Sequence, residues 1–455
     1  MNVKENKMGT MPINKLLISM ALPMMVSMLV QALYNIVDSM FVSYISEDAL
    51  TAVSLAFPIQ QLMIALGSGM GVGVNAVLSK ALGEKDFDKA NSVAKNGIFL
   101  SVVSFVVFFF VGLFVVDPFY MSQTTDPEIL QAGHDYLTVV CCASFGMYMQ
   151  FIFERLLQAT GRTVYSMITQ AVGAIINIIL DPIMIFGLFG MPAMGVKGAA
   201  IATVIGQIIA AALGCYLNMK KNHDIHISFK GFKPDMGIIK TIYMIGVPSI
   251  IMQAVGSVMN YGMNQILIGF TSTATAVFGA YYKLQSFIFM PVFGLNNGMI
   301  PIIAYNYGAG KRERVIQTIK FSVMLAVGIM LVGLVVMQIF PAPLLGIFNA
   351  SDNMLSIGVI ALRLISLSFI FAGYCIIMGS VFQALGNGVY SMVVSIVRQL
   401  LVLLPVAYLF SLTGNLNLVW LSFPIAELFS VTLSTVFLFK INKKIISKIG
   451  TVDVE

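Results

Sequence analysis

The sequence predicts an all-α integral membrane protein, with twelve transmembrane helices arranged as two six-helix lobes related by internal duplication. Three observations predict it. Only 10% of the 455 residues are charged and 58% are hydrophobic, whereas a soluble domain carries about 25% charged residues. The apolar residues collect in long runs, and a run of roughly 20 crosses a bilayer as a helix. Finally, the chain laid on itself with an offset of 225 residues matches without a gap from Pro23 to Met167.

The elements follow in order. The first span lies near 16–45; its apolar run begins at Leu16 and is far longer than the core of a cleavable signal, so it is read as retained. The second, near 50–79, contains "GSGMGVG" (67–73). No strand precedes that stretch, which argues against a phosphate loop; small residues at this spacing let helices pack closely. Spans three to six lie near 92–117, 131–159, 163–188 and 195–219, and the second half repeats the plan near 238–269, 274–306, 315–341, 355–384, 390–412 and 416–441. Several exceed the minimum length, so tilt is expected.

The duplication aligns Pro23 with Pro248, Asn35 with Asn260, Gln60 with Gln285, Gly69 with Gly294, Gly73 with Gly298 and "QATG" (158–161) with "QALG" (383–386). Proline and glycine have special backbone roles, so register held over so many of them is not accidental. Six spans is an even number, so both copies share one orientation. An axis along the membrane normal then relates them, with a substrate site expected between. The division reads as an N-terminal lobe (1–219), a linker (220–237) and a C-terminal lobe (238–455).

Charge sets the orientation. With both termini inside, 22 of the 26 Lys and Arg fall on the cytoplasmic side, most densely in "KKNHDIHISFKGFKPD" (220–235). The net charge of +6 therefore reflects topology and gives no case for nucleic acid. No P-loop ending in G-K-[ST] appears, so ATP is not expected as a partner. Cys141, Cys142, Cys215 and Cys375 all lie in spans, and His223 and His226 read as solvated loop residues rather than a metal site. No nucleophile–base–acid set is visible, so the chain is not read as an enzyme, and no cofactor is expected.

Ionisable residues inside a span are costly and are read as functional. Asp38 lies in the first span and Asp181 in the fifth, within "NIILDPIMIFG". Lys15 is 23 residues before Asp38 and Arg162 is 19 before Asp181. At about 1.5 Å per residue, both carboxylates reach a similar depth in the outer half of the bilayer. Gln31, Tyr34 and Asp38 share one helix face, as do Asn177 and Asp181, which suggests one pocket. There a low dielectric and a neighbouring carboxylate penalise the charged form, so the pair suits either a proton or Na⁺. Pro182 removes a backbone donor beside the site and is a plausible bending point. The offset aligns Asp38 with Met263, Asn177 with Val402 and Asp181 with Val406, so this polar set belongs to the first copy alone.

Weaker signals remain. Arg398 and Glu427, in neighbouring spans, read as a structural ion pair. Glu154 and Arg155 sit near a cytoplasmic helix end, where Glu154 either snorkels or lines an inner vestibule. Lys283 and Arg363 face either a cavity or the headgroups. Met252, Met259 and Met263 are candidate substrate contacts, since Met repacks around varied ligands.

The pattern resembles the multidrug and toxic compound extrusion (MATE) family across essentially the whole chain, and within it the DinF-like branch with its MepA-type exporters. The carrying motifs are "QALYNIVD" in the first span, "NIILDP" in the fifth and "GVKGAAIAT" in the sixth. The resemblance implies a MATE-type fold in a bacterial plasma membrane. It also implies a cation-coupling site at Asp38, Asn177, Asp181 and Thr203, flanked by Gln31 and Tyr34. The NorM-like branch instead uses carboxylates in spans seven and ten. Here neither 238–270 nor 355–384 contains Asp or Glu, which argues against that mechanism.

The expected function is export of lipophilic, mostly cationic organic compounds by a monomer in the bilayer, coupled to inward H⁺ or Na⁺. The rival within the same superfamily is a lipid-linked oligosaccharide flippase, which should line its cavity with several Arg and Lys; few intramembrane cations are present. A major-facilitator transporter shares the six-plus-six plan, but "KALGEKDFDKA" (80–90) lacks that family's basic loop pattern.

Overall fold

The structure is a computed structural model that describes residues 5–450, and every element among them is helical. Among the described residues ten helices are long and apolar enough to cross a membrane, and two bent pairs bring the spans to as many as twelve. Spans 1 to 6 are Ile13–Ser43, Phe57–Gly83, Phe87–Phe114, the pair Pro127–Cys142 and Phe145–Ala159, Thr163–Phe186, and Gly195–Lys221. Spans 7 to 12 are Met236–Ile268, Ser272–Gly308, Arg312–Ile339, the pair Asp352–Ser366 and Phe369–Ala384, Gly388–Ser411, and Leu416–Lys444.

Local chemistry sets the helix ends. Asp86 caps span 3 at Lys89 N, Asp126 caps span 4 at Glu128 N, and Asp235 caps span 7 at Gly237 N and Ile238 N. Each carboxylate satisfies a donor that the first helical turn leaves free. The second span expected near 50–79 is in fact two helices, Glu47–Leu55 and Phe57–Gly83. Pro58 explains the break: it has no N–H to continue the first helix but fits the first turn of the next. Spans 4 and 10 bend by 45° and 48° at matching points of the two copies, each beside a serine, Ser144 and Ser368. Span 11 carries a π-helical stretch, Val397–Leu403, that the sequence did not suggest.

The chain forms two compact units, one of Val26–Gly246 and one of the segments flanking it on either side. The division therefore falls inside spans 1 and 7, beside Pro23 and Pro248, whereas the sequence placed it at the 220–237 loop. Glycine explains the exchange. A Cβ on Gly73 would lie 2.2 Å from the Ile242 carbonyl oxygen, and one on Gly246 would lie 3.0 Å from the Gly69 oxygen. The first half of span 7 thus packs backbone-to-backbone on span 2. In the other unit, a Cβ on Gly298 would lie 2.7 Å from Ala21 Cα, and one on Gly294 would lie 2.5 Å from Met25 Cα. The first half of span 1 packs the same way on span 8. In lipid, close packing of small residues takes the part that hydrophobic burial plays in water.

The core of the Val26–Gly246 unit gathers Met63, Phe108, Tyr120, Tyr136 and Tyr148. The buried Tyr120 hydroxyl donates to the Ala52 carbonyl at 2.7 Å, and Tyr148 donates to Met63 O at 3.4 Å. Buried hydroxyls need such partners.

Candidate functional site

Spans 1, 5 and 6 build the site, all within the Val26–Gly246 unit. Spans 5 and 6 approach closely because glycines line their contact. A Cβ on Gly198 would lie 2.4 Å from the Met184 oxygen, and one on Gly206 would lie 2.7 Å from the Gly173 oxygen. This explains the glycines of "GVKGAAIAT", and it brings Thr203 against Asn177.

The polar geometry follows. With its amide oriented to satisfy both ends, Asn177 donates to Asp181 Oδ2 at 2.9 Å. Its carbonyl accepts from Thr203 Oγ1 and Thr203 N, each at 3.0 Å. The Tyr34 hydroxyl lies 3.5 Å from Thr203 Oγ1. Asp38 and Asp181 bring their carboxyl groups within hydrogen-bond reach of each other. Asp181 is fully buried and Asn177 almost so. One oxygen of each carboxyl, Asp38 Oδ1 and Asp181 Oδ1, has no hydrogen-bond partner among the described residues.

Two carboxylates in contact cannot both stay charged in a buried place without something positive between them. Either one carboxyl carries a proton and donates it to the other, or a cation bridges their oxygens. The Asn177–Thr203 link holds the Asp181 side of the pair, and Tyr34 brings span 1 into the same network.

A cavity of about 410 Å³ opens beside this pair. Gln31, Tyr34 and Asp38 line it from span 1, with Asn177 and Thr203 opposite. Further amides complete the lining: Gln60, Gln61, Gln150, Gln170 and Gln207. Gln170 donates to Gln31 Oε1 at 2.9 Å and accepts from the Ser27 hydroxyl; Gln60 donates to the Tyr136 hydroxyl at 3.0 Å. Apart from Gln31, sequence reasoning missed these glutamines. Intramembrane amides were the available signal, and the recurrence of Gln60 as Gln285 marked it only as part of the repeat.

The remaining residues lie elsewhere. Glu154 is buried and is not among the cavity's lining residues; it accepts at 2.9 Å from Nε2 of Gln150, which is. Met252, Met259 and Met263 belong to the other unit, where Met259 and Met263 are buried and Met252 Sδ accepts from Gln383 Nε2 at 3.7 Å. Pro182 sits in the last turns of a helix that continues through it to Phe186. Arg398 Nη1 and Glu427 Oε1 form an ion pair at 2.6 Å. Lys283 is exposed and lies 6.0 Å from the centre of the Phe348 ring, while the exposed Arg363 donates to Gln338 O at 3.2 Å.

Known proteins match this architecture. The MatE family model matches residues 23–183 and 248–409, one match in each copy of the repeat. The Multidrug export protein MepA of Staphylococcus haemolyticus is 28% identical over 444 residues, 97% of each chain. MepA of Staphylococcus aureus strain MSSA476 is 27% identical over 408 residues, 89% of each chain. Among solved structures, a MATE protein in complex with MaL6 superposes with a TM-score of 0.91 at 25% identity, over 98% of this chain and all of that one. A MOP-superfamily transporter from Pyrococcus furiosus, described as having a binding pocket of reverse polarity, gives 0.91 at 25% identity, over 99% of this chain and all of that one. With both copies matched and the full-length fold shared, the chain belongs to the MatE family.

Proposed function

We propose that the protein is a cation-coupled exporter working by alternating access. An inward cation, H⁺ or Na⁺, exchanges for a lipophilic, mostly cationic organic compound moving out across the bacterial plasma membrane. The observation that carries this reading is the Asp38–Asp181 contact, with one free oxygen on each carboxyl, at the wall of the amide-lined cavity. A cation on that pair neutralises it. An organic cation in the adjoining cavity needs the same negative charge to offset its own desolvation. The two ligands therefore compete through one pair of carboxyls, which is what exchange requires. Among the described residues lining the cavity none is Lys or Arg, so a pyrophosphate headgroup would find no countercharge there.

The test is cation release. When a lipophilic cation is added to the purified protein in weak buffer, the account expects release of H⁺, read with a pH indicator dye, or of bound radioactive Na⁺. Asp38→Asn should abolish the release. Substrate binding with no release of either ion in the wild type would refute the exchange.

A further inference from the structure

The loop that joins the two copies is tied down along its length. Arg162 holds its start, donating from Nε to Lys221 O at 2.8 Å and pairing with the Asp224 carboxylate. Ile225 is buried. Span 3 then holds the middle and the end: His226 N donates to Asn91 Oδ1 at 2.6 Å, and Asp235 N donates to Asn96 Oδ1 at 3.0 Å. All of these residues belong to the Val26–Gly246 unit.

Between the last two ties the chain turns at "FKGF" (229–232). Phe232 N donates to the Phe229 carbonyl at 3.0 Å, and Gly231 takes a φ of +69°. A Cβ on Gly231 would meet nothing within 4 Å, so this glycine serves the left-handed backbone of the turn and not a close contact. The turn sets the Phe229 and Phe232 rings edge to face with centroids 5.4 Å apart, and Phe232 packs against Phe99 of span 3 at 5.9 Å. Lys95 is the last charged residue before the apolar run of span 3, and Phe99 follows it by one helical turn. Phe99 therefore marks the level at which span 3 enters hydrocarbon, and the turn lies at that border. Phe229 stays 47% exposed there. An exposed aromatic ring is costly in water and well placed at a lipid boundary.

The charges around the turn point the same way. Lys220, Lys221, Lys230, Lys233 and Lys240 are all exposed, and among the described residues neither Lys230 nor Lys233 makes an ion pair. The two acidic residues of this stretch are engaged, Asp224 by Arg162 and Asp235 at the first turn of span 7. A cluster of about four to eight basic residues beside a membrane helix attracts anionic headgroups.

We propose that this turn is an interfacial anchor that binds anionic phospholipid. Phe229 and Phe232 seat beside Phe99 at the edge of the hydrocarbon, and the Lys230 and Lys233 ammonium groups reach the phosphates of neighbouring lipids while their stems stay on apolar surface. The anchor ends at Asp235, which caps span 7, so it ties the start of span 7 both to span 3 and to the membrane.

The experiment places a tryptophan in the turn, Phe229→Trp, in the full-length protein in phosphatidylcholine nanodiscs. Trp420 is the sole tryptophan of the chain and is fully buried, so the unsubstituted protein supplies the background signal. A minor fraction of the lipid is exchanged for brominated phosphatidylglycerol or, in parallel, for the same fraction of brominated phosphatidylcholine. The anionic lipid should quench the new tryptophan roughly twofold more strongly or better. Adding Lys230→Gln and Lys233→Gln should remove that preference while quenching by both lipids persists. Strong quenching by aqueous acrylamide with none by either lipid would put the turn in water and overturn the proposal. Equal quenching by the two lipids before the lysines are changed would also overturn it, as would a preference that survives their loss. The readout is lipid contact and not transport, so none of these results bears on the exporter reading.

Discussion

Asp38 and Asp181 act as one group because each explains the other. Alone, Asp181 would be a fully buried carboxylate with one bond from Asn177. On the proposed reading they share a proton or cation, and removing either partner removes the shared site. Asp38→Asn and Asp181→Asn should therefore each reduce gradient-driven export to background, and the double variant should be no worse. Full additivity of two partial losses would contradict a shared site. Thr203 has a smaller part, since it donates to the Asn177 carbonyl that orients the amide toward Asp181. Thr203→Val deletes that hydroxyl while keeping its shape. A net hydrogen bond is worth about 0.5–1.5 kcal/mol, so the half-saturating concentration of the coupling ion should rise roughly three- to tenfold with maximal rate largely kept. An unchanged ion dependence would remove Thr203 from the site.

At the scale of elements, the glycine grooves decide which helix halves belong together. Gly298→Val places its side chain against the backbone of span 1 at Ala21, where nothing flexible can yield. The variant should lose at least several degrees of thermal stability in detergent, whereas Gly328→Ala, in span 9 with open space around it, should be neutral or slightly stabilising. Equal effects would show that the close approach carries no weight. These grooves also mark where sequence reasoning stopped. "GSGMGVG" was legible as a helix-packing surface, and its recurrence at Gly294 and Gly298 was legible too. Which helix each groove receives was not, because the partners Ala21 and Ile242 are unremarkable apolar residues far away in the chain. The division inside spans 1 and 7 was hidden for the same reason. Asp38, Asn177 and Asp181 were legible because charge and amide stand out in an apolar run. Gln170 and Gln207 were not, since an isolated glutamine in a span reads equally well as packing.

At the scale of the whole molecule, the duplication supplies the scaffold, and on the proposed reading the polar residues it does not repeat supply the chemistry. Prolines, glycines and the two span bends recur in both copies. The carboxyl pair belongs to the first copy and the arginine–glutamate pair to the second. The central claim is that the first-copy pair couples an ion gradient to export. The most direct measurement is efflux of a fluorescent lipophilic cation from proteoliposomes, under an imposed pH gradient and then under a Na⁺ gradient, for wild type and Asp181→Asn. The account predicts transport driven by one of the two gradients and its loss in the variant. Efflux that ignores both gradients, or that Asp181→Asn leaves intact, would contradict it.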